Sequence, residues 1–394
     1  MSWMVPFHKL DPEQRNMINQ IRSNPRRNHW IKGFVGSGKS VVLVHTLIQL
    51  KTSNPRLNVC LALFTHSLIA MFETGIPEEI KKNLRITTCE SFRNKPEKYD
   101  LIIVDEVQDL SPDVLELMEK YSQQLIVAGD SDQSIYEDRV TPQQIEKLIN
   151  PMIHELTILH RLTNKIIDIA RVIFPDNRLE KAKRSRLENV DVTLGIAQKI
   201  EEEVGYVWDQ ASEYLKSGVI TAILFSKKID IVQFVNLILA TYGYKPWNVK
   251  KNNFNDYDFN DFNTYLKTCN LPIQYLGNGH GNLNKSSEEF KKASKVYLMT
   301  YHSAKGLDFE TVFLPILNSQ NKIWSKLDKA KNLLFVAMTR SRLNLFITYT
   351  GTPNSDVKQI PNNLLRTIYL PLNKNQARGN KNETIVEDDD DFIF

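Results

Sequence analysis

Apolar residues along this chain gather in short continuous runs that are too dense to alternate with polar ones. Leu57–Phe64, Asp100–Val104, Gln124–Ala128, Val219–Phe225, Lys295–Thr300, Thr311–Pro315 and Leu343–Tyr349 are such runs, rich in Val, Ile, Leu and Phe. A strand with no polar face is buried on both sides, as in a parallel sheet covered by helices. A shorter run, His29-Trp30-Ile31, predicts a further strand, and Val41 to Leu50 predicts the helix after it. Strands alternating with helices predict an α/β architecture.

The pattern weakens in two places. Asn248 to Thr268 is dense in Asn, Asp, Phe and Tyr, which predicts an irregular insertion within 248–292. From Asn373 onward polar residues dominate, so 373–394 is expected to be a disordered acidic tail. Residues rich in chemistry cluster before Tyr136 and after Lys295. Two lobes are therefore expected, dividing near 145–155: 1–147 and 148–372.

Composition narrows the class. With 394 residues, 42% hydrophobic and 24% charged, the chain has enough material for two ordinary cores. No apolar run approaches the ~20 residues of a membrane span. The opening Met1 to Pro6 lacks a basic segment followed by an apolar one, so no signal peptide is expected. Cys60, Cys89 and Cys269 are too widely spaced for a disulfide framework or zinc site, and a cytoplasmic location is expected. Formal charge is +4, and it becomes +9 once the five acids among Glu387 to Phe394 are set aside. A basic body suits a polyanionic partner.

The chemistry begins at Gly33-Phe34-Val35-Gly36-Ser37-Gly38-Lys39-Ser40, which fits G-x-x-x-x-G-K-[ST] between the predicted strand and helix. Glycines let the backbone N–H groups curl around a polyphosphate at a helix N-terminus. Lys39 would reach the terminal phosphates and Ser40 would hold Mg²⁺. Downstream, Leu101 to Val104 is an apolar run ending in Asp105-Glu106. Asp105 suits the Mg²⁺ shell and Glu106 the deprotonation of an attacking water, which predicts hydrolysis of a nucleoside triphosphate.

Asp105-Glu106-Val107-Gln108-Asp109 resembles the D-E-x-Q-D box of UvrD/Rep/PcrA-type superfamily 1 helicases. Other segments are similar in the family's order. They are Leu10 to Gln14, Leu63 to His66, Thr88 to Phe92, Gly129 to Tyr136, Leu159-His160-Arg161, Thr300 to Phe309 and Phe335 to Arg340. The resemblance runs from Leu10 to about Tyr349. It implies two RecA-like lobes with ATP in the cleft between them, and Gln14 reading adenine with His160 stacked on it. Gly33, Gly36, Ser37, Gly38, Gly306 and Asp308 would complete the nucleotide site. Gln133 would sense the γ-phosphate, and Arg161 and Arg340 would act as arginine fingers from the second lobe. Phe64, Thr65, Thr88, Tyr136, Thr300 and His302 would contact single-stranded DNA, with RNA left open as the polymer.

Departures qualify these implications. Asp138 stands where the family has a base-stacking aromatic, leaving Phe64, Tyr136 and Tyr301 as substitutes, and His160 stands for a tyrosine. The 66 residues from Lys39 to Asp105 leave no room for the first accessory domain, so a minimal motor is expected. The leading expectation is a 3′→5′ ATP-dependent DNA translocase or helicase. The alternative is a regulatory ATPase gated by DNA or by a protein partner, which the tail 387–394 could dock.

Overall fold

The computed structural model describes residues 3–130, 138–174, 183–184, 190–251, 257–277, 294–323 and 330–371. Gln133, Tyr136 and the acidic tail lie outside these, as does much of 248–292. The chain divides into two compact units, each built on a parallel sheet.

The first unit holds Met1–Arg161. Its strands are β1 (His29–Gly33), β2 (Val59–Leu63), β3 (Leu84–Thr88), β4 (Tyr99–Val104), β5 (Ser122–Gly129) and β6 (Met152–Leu156). They lie in the order β3-β2-β4-β5-β1-β6, all parallel. Neighbouring residues on one strand enter opposite cores, because side chains alternate across a sheet. Ile31, Leu61, Leu63, Ile103 and Ile126 pack with helices α1 (Pro12–Ser23) and α2 (Lys39–Ser53). Trp30, Cys60, Ala62, Ile102, Val104 and Val127 face the other way. There they meet α5 (Pro112–Lys120) and α6 (Pro142–Ile149), which follow α3 (His66–Gly75) and α4 (Cys89–Asn94) in the chain order. Burial on both faces is what the continuous apolar runs record.

The expected boundary after residue 147 moves to Arg161. Strand β6 hydrogen-bonds along the whole of β1, from His29↔Met152 to Gly33↔Leu156, so the residues after α6 finish the first sheet.

The second unit begins at Leu162. Its seven-stranded sheet is ordered 273–275, 296–300, 221–225, 309–314, 341–350, 192–197, 365–369, again parallel throughout. The expected irregular insertion is partly built into this unit. A helix at Phe262–Thr268 and the strand Ile273–Tyr275 follow Trp247; Phe259 and Phe262 pack on its ring, and Tyr275 stacks on Phe259 in the same core. Phe259 and Phe262, which looked unpatterned among Asn and Asp, are core residues.

Among the described residues no helix is long and apolar enough to cross a membrane, and no cluster of three metal-ligating side chains occurs.

Candidate active site

All the elements of the site in the first unit lie at the carboxyl edge of its sheet. The loop leaving β1 curls through Gly36 at φ 82° and Gly38 at φ 86°, a left-handed conformation that glycine adopts without Cβ strain. Close packing adds a second constraint: a Cβ on Gly33 would overlap Ser37 Oγ, and one on Gly38 would overlap the Gln14 amide. Lys39 starts α2 and folds its ammonium back onto the loop, 2.7 Å from Gly33 O and 3.1 Å from Phe34 O. Burial pulls its pKa below the usual lysine value. The carboxylates of Glu106, Asp130 and Asp105 oppose that shift, and Arg161 adds to it.

Strand β4 delivers Asp105 and Glu106 next to this loop. Ser40 Oγ donates to Asp105 Oδ2 at 2.7 Å. Asp105 Oδ1 accepts from Glu106 N at 3.0 Å. Burial, followed by the charge on Glu106, lifts the Asp105 carboxyl to about 6, which the Ser40 hydrogen bond and Lys39 counteract. Glu106 sits at φ 58°, a conformation that a non-glycine residue keeps only when its surroundings impose it. Gln108 steadies the Glu106 side chain. Its amide nitrogen donates to Glu106 Oε2, and its oxygen accepts from Asp130 N at 3.1 Å. Gln108 is fully buried, and a Cβ on Gly129 would overlap its oxygen. Because β5 lies between β1 and β4, its end at Gly129–Asp130 falls between the lysine loop and the carboxylates.

Gln14 and His160 also reach the loop, both from within the first unit. Asp11 caps α1 in a reciprocal box with Gln14. The His160 Nε2 lies 2.7 Å from Asp11 Oδ2, and His160 N donates to Gly36 O at 2.9 Å. The expectation that His160 and Arg161 come from the second lobe is corrected by this placement, which follows from β6 belonging to the first sheet. Sequence reasoning did not single out Asp11, Gln108 or Asp130 as site residues; Gln108 was visible in the D-E-x-Q-D box.

The expected strand-contacting residues have local structural jobs. Thr65 caps α3, accepting from Leu68 N at 3.2 Å, and Thr88 caps α4, accepting from Ser91 N at 3.0 Å. Phe64 packs half-buried against the core. In the second unit Thr300 accepts from Ser303 N at 3.2 Å. His302 is shifted below the usual histidine value by burial and by Lys305. Gly306 takes φ 83°, and Asp308 pairs with Arg342 at 2.7 Å. Arg340 is buried, with Nε donating to Val336 O at 2.9 Å and Nη1 to Leu307 O at 3.0 Å. Tyr301, expected as a substitute stacking ring, is buried in the second unit, so its ring is not offered to a base.

A family model described as the UvrD-like helicase C-terminal domain matches residues 69–352, well over half of the chain. The chain belongs to the UvrD-like helicase family. A probable DNA helicase II homolog of Mycoplasma capricolum is 34% identical over 85 residues, 20% of this chain and 12% of the relative. The ATP-dependent DNA helicase Rep of Buchnera aphidicola is 40% identical over 67 residues, 15% of this chain and 10% of the relative. A putative ATP-dependent DNA helicase of Acanthamoeba polyphaga mimivirus is 26% identical over 260 residues, 62% of this chain and 34% of the relative. This UvrD-like chain thus matches about a third or less of the length of each of these relatives.

Proposed function

We propose that this chain hydrolyses ATP and couples the hydrolysis to 3′→5′ movement on single-stranded DNA, as a minimal UvrD-like motor. The observation that carries the reading is the junction of Lys39, Ser40, Asp105 and Glu106, held by hydrogen bonds within one unit. In this reading Lys39 and Arg161 neutralise charge on the phosphates, and Glu106 takes a proton from the attacking water. Gln108 keeps the Glu106 carboxylate aimed. Gln133 and Arg340 keep the roles the family resemblance implies.

A divalent cation fits beside Ser40 and Asp105. Their oxygens already converge at 2.7 Å, and a positive charge there would relieve the burial that raises Asp105. Ser40 and Asp105 would hold Mg²⁺, which when bound would offset the negative charge of the β- and γ-phosphates.

A specific observation favours the second reading, a regulatory ATPase with little movement of its own. Asp138 is exposed at φ 51°, an acidic side chain where the family places a stacking ring. Aspartate and asparagine tolerate that conformation better than a bulky ring does, so Asp138→Asn removes the charge without straining the backbone.

Phosphate release with and without oligo-dT, compared with translocation along a labelled strand, tests both readings. The motor reading expects DNA to stimulate turnover, binding to weaken with salt, and Asp138→Asn to tighten the DNA complex. It expects Lys39→Ala to abolish turnover. DNA-stimulated hydrolysis without translocation supports the regulatory ATPase. Equal phosphate release by wild type and Lys39→Ala sinks both.

A further inference from the structure

The first unit carries a cleft at the edge of its sheet opposite the phosphate-binding loop. Its strands are parallel, so their amino ends share one edge, and Asp100 on β4 and Gln123 on β5 line the cleft from there. Helices α1 and α2 end at the same place, bringing Arg22 from one and Leu50 and Ser53 from the other. The cavity measures about 910 Å³, within the range of ligand-binding clefts.

Its rim is cationic. Arg22 and Arg26 line it, and Arg27 and Arg56 stand beside lining residues in the chain. All four are exposed, and none forms an ion pair among the described residues. The acid in the cleft, Asp100, is engaged by neutral donors instead: it accepts from Asn58 N at 2.9 Å and from Gln123 Nε2 at 3.0 Å. The floor is apolar, since Leu50 and Leu57 lie half-buried on the core and also reach the cavity. A ligand of matching chemistry carries several negative charges next to apolar side chains. Both helices bring their carboxyl ends here, where the last carbonyls lack partners within the helix. Peptide N–H groups can pair with such carbonyls; phosphate groups, which have no donors, meet only the negative end of the helix.

We infer that this cleft is the docking site of the chain's own acidic segment, Glu387 to Phe394. Glu387-Asp388-Asp389-Asp390-Asp391 puts five acids directly before Phe392-Ile393-Phe394. The acids match the arginines of the rim, and the three apolar side chains match the floor of Leu50 and Leu57. The fifteen residues 372–386, between the last described residue and Glu387, span up to ~50 Å when extended, more than the ~30 Å diameter of a small domain. Tethering raises the local concentration of the segment to about the millimolar range, which favours it over the same segment on a second copy. The cleft is remote from the phosphate-binding loop, so the docking stands whether or not the chain hydrolyses ATP.

A fluorescent peptide of residues 387–394 probes the cleft in the full chain and in a chain ending at residue 386. The shortened chain is expected to bind it. The full chain should bind it at least about tenfold more weakly, because the tethered segment competes. Arg22→Glu with Arg26→Glu should cost the shortened chain about tenfold or more in peptide affinity, and Phe392→Ala with Phe394→Ala in the peptide a similar factor. Lys245→Glu with Lys250→Glu, exposed in the second unit, makes the same change in net charge and should alter binding less than about twofold. Equal losses from the arginine and lysine pairs would overturn the proposal, since net charge alone would then attract the peptide. Equal binding by the full and shortened chains would overturn it too, and so would a deficit in the full chain that vanishes on dilution, which assigns the cleft to the segment of a second copy. A shortened chain that binds no peptide overturns it outright, and a loss of oligo-dT affinity in the arginine pair would then mark a nucleic-acid site. Melting temperatures check that each variant folds; if the arginine reversal does not, Arg22→Gln with Arg26→Gln is held to the same comparison.

Discussion

Lys39 and Arg340 are the two cations most central to the expected chemistry, and their surroundings differ. Lys39 stands in the field of Glu106, Asp130, Asp105 and Arg161, and its ammonium touches loop carbonyls at one flexible point. Arg340 spreads its guanidinium over Val336 O, Leu307 O and Thr339 Oγ1, so it also knits a helix end to the loop before the strand 309–314. The first unit gathers opposite charges whose balance a substrate would change. The second unit places buried polar groups where backbone needs them. Glu203 extends that contrast: fully buried, it accepts from Ile316 N, Thr348 Oγ1 and Thr350 Oγ1 at 2.6–2.7 Å. Burial raises its pKa, and those hydrogen bonds hold the shift back.

The largest effect expected from this contrast is on Glu106→Gln. Shape and hydrogen bonding persist, so ATP binding should survive while single-turnover hydrolysis slows by about 10²–10⁴. Comparable hydrolysis by the two proteins would remove Glu106 from the chemistry. Gly129→Ala should act next, through geometry alone. Its Cβ would push Gln108 away and release Glu106, slowing turnover by about a hundredfold, as a displacement of ~1 Å can. Binding of ATP would be nearly unchanged. An unaffected rate would show that Gln108 does not aim the carboxylate.

In the second unit the expected response is in stability instead. Glu203→Ala leaves three donors without their acceptor, including the N–H of Ile316, which sits at φ 61°. Denaturant unfolding should show a loss of about 3 kcal/mol. A matching fall in turnover at low temperature, where the unit remains folded, would blur the division between the two units.

The smallest effect is a pH dependence confined to the first unit. His29 Nδ1 lies 3.0 Å from His154 Nε2, with the rings stacked. Burial lowers both, His154 to about 4 with a further push from His29, and Arg27 also lowers His29. Their unfolded value is near 6.5, so the unfolded chain takes up protons first as pH falls. Their contribution to stability is full above pH 6.5 and is lost as pH drops toward 4. His154→Leu should flatten the melting temperature over that window. An unchanged slope would assign the acid sensitivity elsewhere.

Much of this was legible in the sequence, and what was missed has a pattern. The interior strands other than 192–197 appeared as apolar runs because helices cover both their faces; Thr193 and Gly195 interrupt that one. Strands 84–88, 152–156, 273–275 and 365–369 escaped notice, and each is the outermost strand of its sheet. An edge strand keeps polar residues such as Arg85, Glu155, Gln274 and Arg366, so it gives no continuous run. Missing β6 alone moved the boundary between the units and put His160 and Arg161 on the wrong side of it. The loop and the carboxylates were readable because their chemistry needs fixed neighbours in sequence. The Asp11–His160 tie joins residues 149 positions apart, and nothing local announces it.

The Gln108 bridge also has a consequence for observation. The N–H of Asp130 is bonded to the same amide group that steadies the Glu106 carboxylate. A single backbone resonance, at residue 130, therefore senses the orientation of Glu106 with no probe attached. Its chemical shift and exchange rate, followed through a nucleotide or DNA titration, would show when the carboxylate is released.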